Sequence, residues 1–386
     1  MAHDGAPVPV VDPAIEAELL EQEEIERSEP LDLTGEERKL VTQPYDFSVS
    51  SLVDDIDGQR LLLRMEYQRS YVWDDAKATR LIESLLLNVP IPVCYFAENE
   101  DGTLEVVDGQ QRLHSIWRFV SPQAGESQLT LRGATVLNEI NGQSFSQLSQ
   151  RDQRRTLNRT IRCIVITEDS HPDIKFDVFE RLNTGAVRLT DQELRNSIYR
   201  GALNDRLKDV ARYEPFQRAL AGQLVARMDD VELVLRFAAL ADRLTSYKPP
   251  LRQFLSEYMR QHRADAVPVE PLLAAFQQAA TTAETLFGED AFRRVNRAGG
   301  AGRTVNKALF DTVMLSLHLA DQTAVLAQKD QVLSEFRSLL EEPDFDVLIG
   351  RATADRARVF GRISAFSERL EKLGIPTRYR QAIPQA

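Results

Sequence analysis

Near Leu189 the hydrophobic pattern of this 386-residue chain changes its period. From about Tyr45 to Thr184, short β-branched and aromatic runs alternate with helical ones, whereas beyond Leu189 the pattern is almost wholly helical. Apolar residues recurring every second position line one face of a strand, and recurrence every third or fourth lines one face of a helix. The sequence therefore predicts an α+β chain. A small mixed-sheet domain is expected over 41–188 and an all-helical domain over 189–386, with residues 1–40 set apart as an arm.

Local punctuation supports this division. Asp74 and Asp75 are helix-start residues, Ala78, Leu81, Ile82, Leu85 and Leu86 follow at helical spacing, and Asn88 and Pro90 stop the helix. The runs Val93 to Ala97 and Leu104 to Val107, joined across Asp101-Gly102, read as a β-hairpin. A strand is expected over Ile161 to Thr167, preceded by a polar helix holding Arg151, Arg154, Arg155 and Arg159. The helical part opens on Thr190-Asp191-Gln192-Glu193, a capping-box pattern. Amphipathic segments follow at about 229–245, 251–263, 270–286, 304–327, 331–341 and 353–372.

With 43% hydrophobic residues the chain can bury one large or two ordinary cores, which excludes wholesale disorder. Two cysteines exclude a disulfide scaffold and a Cys-rich metal site; Cys94 and Cys163 each sit in a β-branched run and read as buried, reduced thiols. No apolar run is long enough to span a bilayer, and Met1 to Pro13 lacks the pattern of a secretory leader, so a cytoplasmic protein with no membrane partner is expected. The formal charge of -12 is concentrated at one end. Residues 1–40 hold twelve acids against Arg27, Arg38 and Lys39, leaving a nearly balanced body that can still carry a basic face. The acidic stretch reads either as a solvated arm or as a polyanion mimic that covers a basic groove.

The most informative junction is Asp108-Gly109-Gln110-Gln111-Arg112, which leaves a strand and enters a helix bearing Leu113, Ile116, Trp117 and Val120 on one face. The first amides of a helix lack intrahelical partners and lie at the positive end of its dipole, a place for an anion. Gly109 would let backbone approach a ligand, Arg112 could fork onto phosphate oxygens, and Gln110 and Gln111 supply amide groups. Asp108 could coordinate a divalent cation or cap the helix. The alternative is a capped turn whose polar residues satisfy one another. Upstream, Glu66 to Trp73 mixes Tyr67, Tyr71 and Trp73 with Gln68 and Arg69, which suits a base or nucleotide, or else a core edge. Downstream, Phe176, Phe179 and Leu182 mark a helix face, and Asn183 to Gly185 form its exit, with Asn183 a cap or a ligand.

These three blocks, in this order, resemble the N-terminal domain family of GmrSD-type restriction endonucleases, whose fold is related to ParB and sulfiredoxin. The matching residues are Tyr67, Gln68, Arg69, Tyr71 and Trp73; Asp108 to Leu113; and Phe179, Leu182, Asn183 and Gly185. Asn306 to Phe310 looks like the family's helical continuation. The resemblance implies a ParB-like pocket that binds an NTP with Mg²⁺, in which Asp108, Gln111 and Arg112 support hydrolysis. Tyr67, Gln68, Arg69, Gly109, Gln110 and Asn183 would complete the nucleotide contacts and Asp108 would hold the metal. It further implies an anti-phage sensor that responds to DNA modification, with nuclease activity absent or supplied by a separate subunit. A non-catalytic DNA- or protein-binding module and a nuclease of the same family stay open beside it.

Two departures qualify the resemblance. No His-Asn-His arrangement is present, and His262 and His318 lie in amphipathic helices without neighbouring metal ligands. There is also no Gly-Lys dipeptide and hence no Walker A loop. Asp173-Ile174-Lys175 faintly resembles a nuclease Asp-x-Lys core, but Pro172 to Lys175 reads as a helix start. Finally, Arg151, Arg155, Arg159 and Arg162 follow four- and three-residue steps, so a continuous helix would align them along one side as a DNA-backbone contact, a solvated face or a dock for the acidic arm.

Overall fold

The computed structural model describes residues 39–63, 73–99, 101–121, 123, 128–182, 190–222, 228–295, 301–350 and 353–383. The acidic arm, apart from Lys39 and Leu40, lies outside them. The chain divides into two compact units, with the boundary between Leu189 and Thr190.

The first unit is built on a five-stranded mixed sheet. Its strands are β1 (Thr42–Ser48), β2 (Leu61–Leu62), β3 (Cys94–Glu98), β4 (Leu104–Asp108) and β5 (Thr160–Ile166), in the spatial order β1-β5-β3-β4-β2. β1 runs antiparallel to β5, β5 parallel to β3, β3 antiparallel to β4, and β4 parallel to β2. The β3–β4 hairpin is the one the sequence predicts, with Gly102 at φ 79° in its turn.

Three helices pack on this sheet: α1 (Val49–Asp57), α2 (Asp75–Leu87) and α3 (Gln110–Val120). Asp74 starts α2 by accepting the Lys77 amide at 2.7 Å, and Asn88 ends it in the left-handed conformation. The core takes every second residue of the strands, Cys94 and Phe96 from β3 and Ile161, Cys163 and Val165 from β5. It takes the helical stripe Leu81, Ile82 and Leu85 from α2 and Leu113, Ile116 and Phe119 from α3. Each such aliphatic or aromatic side chain contributes roughly 1.5–3 kcal/mol on burial. α4 (Gln150–Leu157) precedes β5 and α5 (Pro172–Leu182) follows it.

The second unit is mostly helical. It comprises α6 (Asp191–Ile198), α7 (Ala202–Ala211), α8 (Glu214–Leu220), α9 (Asp229–Arg243), α10 (Leu251–His262), α11 (Glu270–Phe287), α12 (Lys307–Leu319), α13 (Gln322–Ala327), α14 (Lys329–Leu340), α15 (Pro343–Gly350), α16 (Arg356–Lys372) and α17 (Tyr379–Ala382). The Thr190–Glu193 capping box closes as the sequence predicts, with Thr190 N donating to Glu193 at 2.6 Å and Glu193 N to Thr190 at 3.2 Å. The expected helix over 304–327 is three elements. β7 (Ala301–Val305) pairs antiparallel with β6 (Arg293–Val295), α12 follows the Asn306 cap, and Asp321 caps a new helix, α13. Among the described residues, no helix is long and apolar enough to cross a membrane.

Candidate functional site

The strand-to-helix junction forms as predicted, with β4 ending at Asp108 and α3 beginning at Gln110. Gly109 between them sits at φ 103°, and a Cβ there would lie 2.5 Å from Cys94 Sγ. Both facts demand glycine, because a side chain would be strained by the backbone and would collide with β3. No side chain caps the start of α3. The far end of the helix is fastened by Asp57, which accepts from Trp117 Nε1 at 2.6 Å and from Ser121 Oγ at 2.9 Å. Within the helix, burial and then the neighbouring Arg118 push His114 down to about 4, so its ring is neutral at neutral pH.

Arg112 is already engaged. Its Nη2 donates to Asp108 Oδ2 at 2.6 Å, one helical turn back, and its Nη1 donates to the Pro92 carbonyl and to that of Val93 at 3.3 Å. Its side chain is 13% exposed and that of Asp108 37%. This guanidinium therefore ties α3 to the approach of β3, and Arg112→Ala removes structure as well as charge. The aromatic block meets the box at Trp73, whose amide donates to Gln111 Oε1 at 3.4 Å. Gln110 is buried and Gln111 half-buried. The structure thus brings Asp108, Gly109, Gln110, Gln111 and Arg112 together, with Trp73 beside them. Tyr67, Gln68, Arg69, Tyr71, Asn183 and Gly185 lie outside the described residues. Phe176 and Phe179 are buried on α5, as their spacing predicts, and Lys175 lies on that helix rather than at a strand end.

The expected arginine row needs correction. α4 ends at Leu157, where Asn158 caps it by donating to the Arg154 carbonyl at 3.1 Å, and β5 begins at Thr160. Arg162 is consequently a strand residue, paired with Asp46 of β1 at 2.6 and 2.8 Å. The remaining arginines meet in a surface groove of about 810 Å³ lined by Asn88, Gln150, Arg151, Arg154, Arg155, Asn158 and Arg159. Arg159 Nε donates to the Leu85 carbonyl at 2.6 Å and its Nη1 to Asn88, whereas Arg155 has only a distant 3.9 Å contact with Asp152.

Two arrangements were not legible in the sequence. Cys94 and Cys163 are both buried and free, as expected, but parallel pairing of β3 and β5 sets them directly opposite each other. The Cys163 thiol donates to the Ile161 carbonyl at 3.7 Å, and the adjacency of the two thiols lowers the Cys94 pKa and raises that of Cys163, with burial raising both and Arg112 adding a further lowering at Cys94. The second arrangement is a buried ionic network centred on α12. Asp311 accepts Arg236 Nη2 and Arg362 Nη2, each at 2.8 Å, and all three side chains are fully buried. Lys307 Nζ donates to Asp229 at 2.7 Å and to Glu232 at 3.0 Å, and Arg195 reaches Glu232 at 3.1 Å. Burial opposes ionisation of Glu232, but Lys307, Arg195 and Arg236 outweigh it and hold its carboxyl well below the usual carboxylate range. The available signal was a single charge at the centre of an apolar helical face, as in Leu235-Arg236-Phe237 and Arg362-Ile363. Among the described residues, no group of three or more His, Cys, Asp or Glu converges in a way that could hold a metal ion.

A mixed sheet carrying a glycine-started helix at a strand end, followed by a mostly helical unit, is the frame in which the comparisons with known proteins fall. Residues 49–200 match the family described as GmrSD restriction endonuclease, N-terminal domain. The match assigns this region to a GmrSD-type N-terminal domain, a family that suggests a restriction-system component. No curated protein matches the chain.

Proposed function

We propose that the first unit is a nucleotide-binding sensor of a restriction system that acts on DNA, in which the Asp108–Arg112 junction receives the phosphates of an NTP. The observation that carries this reading is Gly109. It starts α3 with no side-chain cap at the end of a strand, in a conformation and at a packing distance that only glycine tolerates. Gln111, half-buried and accepting the Trp73 amide, would contact the ligand from the same junction. Asp108 would offer one carboxylate to Mg²⁺, whose other ligands are customarily phosphate oxygens and water, and the metal would neutralise phosphate charge. Binding an anion at Arg112 would draw the guanidinium from Asp108 and release that carboxylate. Hydrolysis by Asp108, Gln111 and Arg112 and a nuclease subunit supplied in trans extend the same proposal.

One observation favours a different reading. The ion pair of Arg112 with Asp108, together with its two carbonyl contacts, is what a junction kept purely as architecture would show. Calorimetric titration of the full chain with ATP, GTP and CTP, with and without Mg²⁺, separates the two. The proposal expects saturable binding of at least one nucleotide, weakened at least tenfold in Gln111→Ala while the melting temperature holds. Absence of binding by all three, at concentrations up to the millimolar range, would sink it and leave the architectural reading.

A further inference from the structure

We propose that the groove beside α4 is a docking site for the sugar-phosphate backbone of duplex DNA. The inference starts from the number and disposition of its cations. Arg151, Arg154 and Arg155 are exposed on α4 and Arg159 follows its end, so four guanidiniums border one concavity of about 810 Å³. Among the described residues, Asp152 is the acid that pairs with one of them. It sits 3.9 Å from Arg155 and also accepts from Ser149 Oγ at 2.6 Å, so it neutralises little of this charge. Among the described residues Arg151 and Arg154 have no ion-pair partner. Both are placed to gain far more from an arriving anion than a cation already satisfied within the fold.

The shape and the lining decide what kind of anion fits. Arg151 to Leu157 spans roughly 9 Å along the helix at about 1.5 Å per residue, and Arg159 lies two residues past its end. One strand of duplex DNA presents a charge about every 3.4 Å of axis, so this length faces about three phosphates of that strand. A lone phosphate would engage only a fraction of the row. No aromatic ring lines the groove, which argues against a free nucleotide or a single strand, since both are held largely by stacking on aromatic faces. Amide side chains and arginines are the usual donors to a duplex backbone, and the groove supplies Asn88, Asn158 and Gln150 beside its guanidiniums. Arg159 is held by the Leu85 carbonyl and by Asn88, so part of its freedom is surrendered before any ligand arrives. The choice of DNA over RNA rests on the restriction-endonuclease family match.

The test is anisotropy of a labelled DNA duplex of about 25 base pairs and arbitrary sequence, titrated with the full chain in the absence of any nucleotide. Failure of the nucleotide reading therefore leaves this assay untouched. With four cations at the backbone, the log-log salt slope should be about -3.6, a loss of affinity on the order of 100-fold between about 50 and 200 mM salt. Arg151→Ala with Arg154→Ala removes two exposed, unpaired cations, so the melting temperature should hold while the slope falls to about -1.8. Arg162→Ala, which touches the Asp46 pair rather than the groove, should bind within about twofold of wild type. Unchanged affinity and slope in the double variant, no duplex binding by wild type at about 50 mM salt, or a loss in Arg162→Ala equal to that of the double variant would each overturn the assignment. An RNA duplex that competes better than DNA would overturn the choice of partner.

Discussion

Asp311→Ala tests the ionic network at its most exposed logical point, because one carboxylate serves two guanidiniums that are otherwise sealed from water. The Arg236 and Arg362 side chains are 0% exposed, and each lies 2.8 Å from Asp311 Oδ2. Removing one partner of a buried pair costs about 3–5 kcal/mol, chiefly because the charge left behind is sealed from water; here Arg362 would keep the Thr353 carbonyl and Arg236 a 3.7 Å contact with Glu232. For a unit of this size each kcal/mol lowers the melting temperature by about 2–4 °C, so the expected fall is roughly 6–20 °C. Scanning calorimetry reads it directly. The reasoning also predicts recovery: Arg236→Met, Asp311→Leu and Arg362→Met combined should return to within about 2 kcal/mol of wild type, since the desolvation of all three charges disappears together. A fall of less than about 2 °C for Asp311→Ala, or a combined variant worse than the single one, would refute the claim that unmatched buried charge sets the cost.

Gly109→Ala should destabilise the first unit by about 2–4 kcal/mol, the sum of a left-handed alanine and a collision with Cys94, as read by urea denaturation. Asp230 provides a pH test: burial foremost, with Asp229 adding, pushes its carboxyl up to about 6 against hydrogen bonds from Val231 N and Gln217 that lower it. A folded pKa raised in this way contributes stability that is fully present below about pH 4 and is lost as the pH climbs through 6. Wild type should therefore lose about 3 kcal/mol relative to Asp230→Asn between about pH 4 and 7, and parallel pH profiles for the two proteins would contradict it. Thr190→Val removes the side-chain half of the capping box and should cost about 1 kcal/mol by calorimetry.

The elements legible in the sequence are those with local chemistry at their ends. Asp74 and Asn88 bracket α2, Asp101-Gly102 turns the β3–β4 hairpin, and Thr190 starts α6, so each boundary is set within a few residues. β2 was not legible, because two residues, Leu61 and Leu62, form a strand only through their pairing with Leu104 and Glu105. The row from Arg151 to Arg162 failed for a related reason. Helical spacing continues on paper past Leu157, but the β1–β5 pairing claims Thr160 onward and sends Arg162 to Asp46. At the candidate site the residue set was legible as a compact motif, whereas its internal pairing was not. Arg112 reads in sequence as a hand offered to a ligand, and only the fold shows Asp108 and the Pro92 and Val93 carbonyls within its reach.

The sheet order also has a consequence for how the chain is made. β1 bonds to β5 alone, and Thr42 meets Ile166 roughly 120 residues further on. At about 5–20 residues per second of synthesis, β1 waits on the order of 10 s for its partner. During that interval it is an orphan strand, exposed to association with other nascent chains. Its composition suits the wait: Pro44 withholds a backbone donor and Asp46 places a charge in a seven-residue segment, both of which discourage edge-to-edge pairing. The same aspartate then receives Arg162 when β5 arrives, so a residue that guards the strand in the unfinished chain becomes a clasp in the finished one.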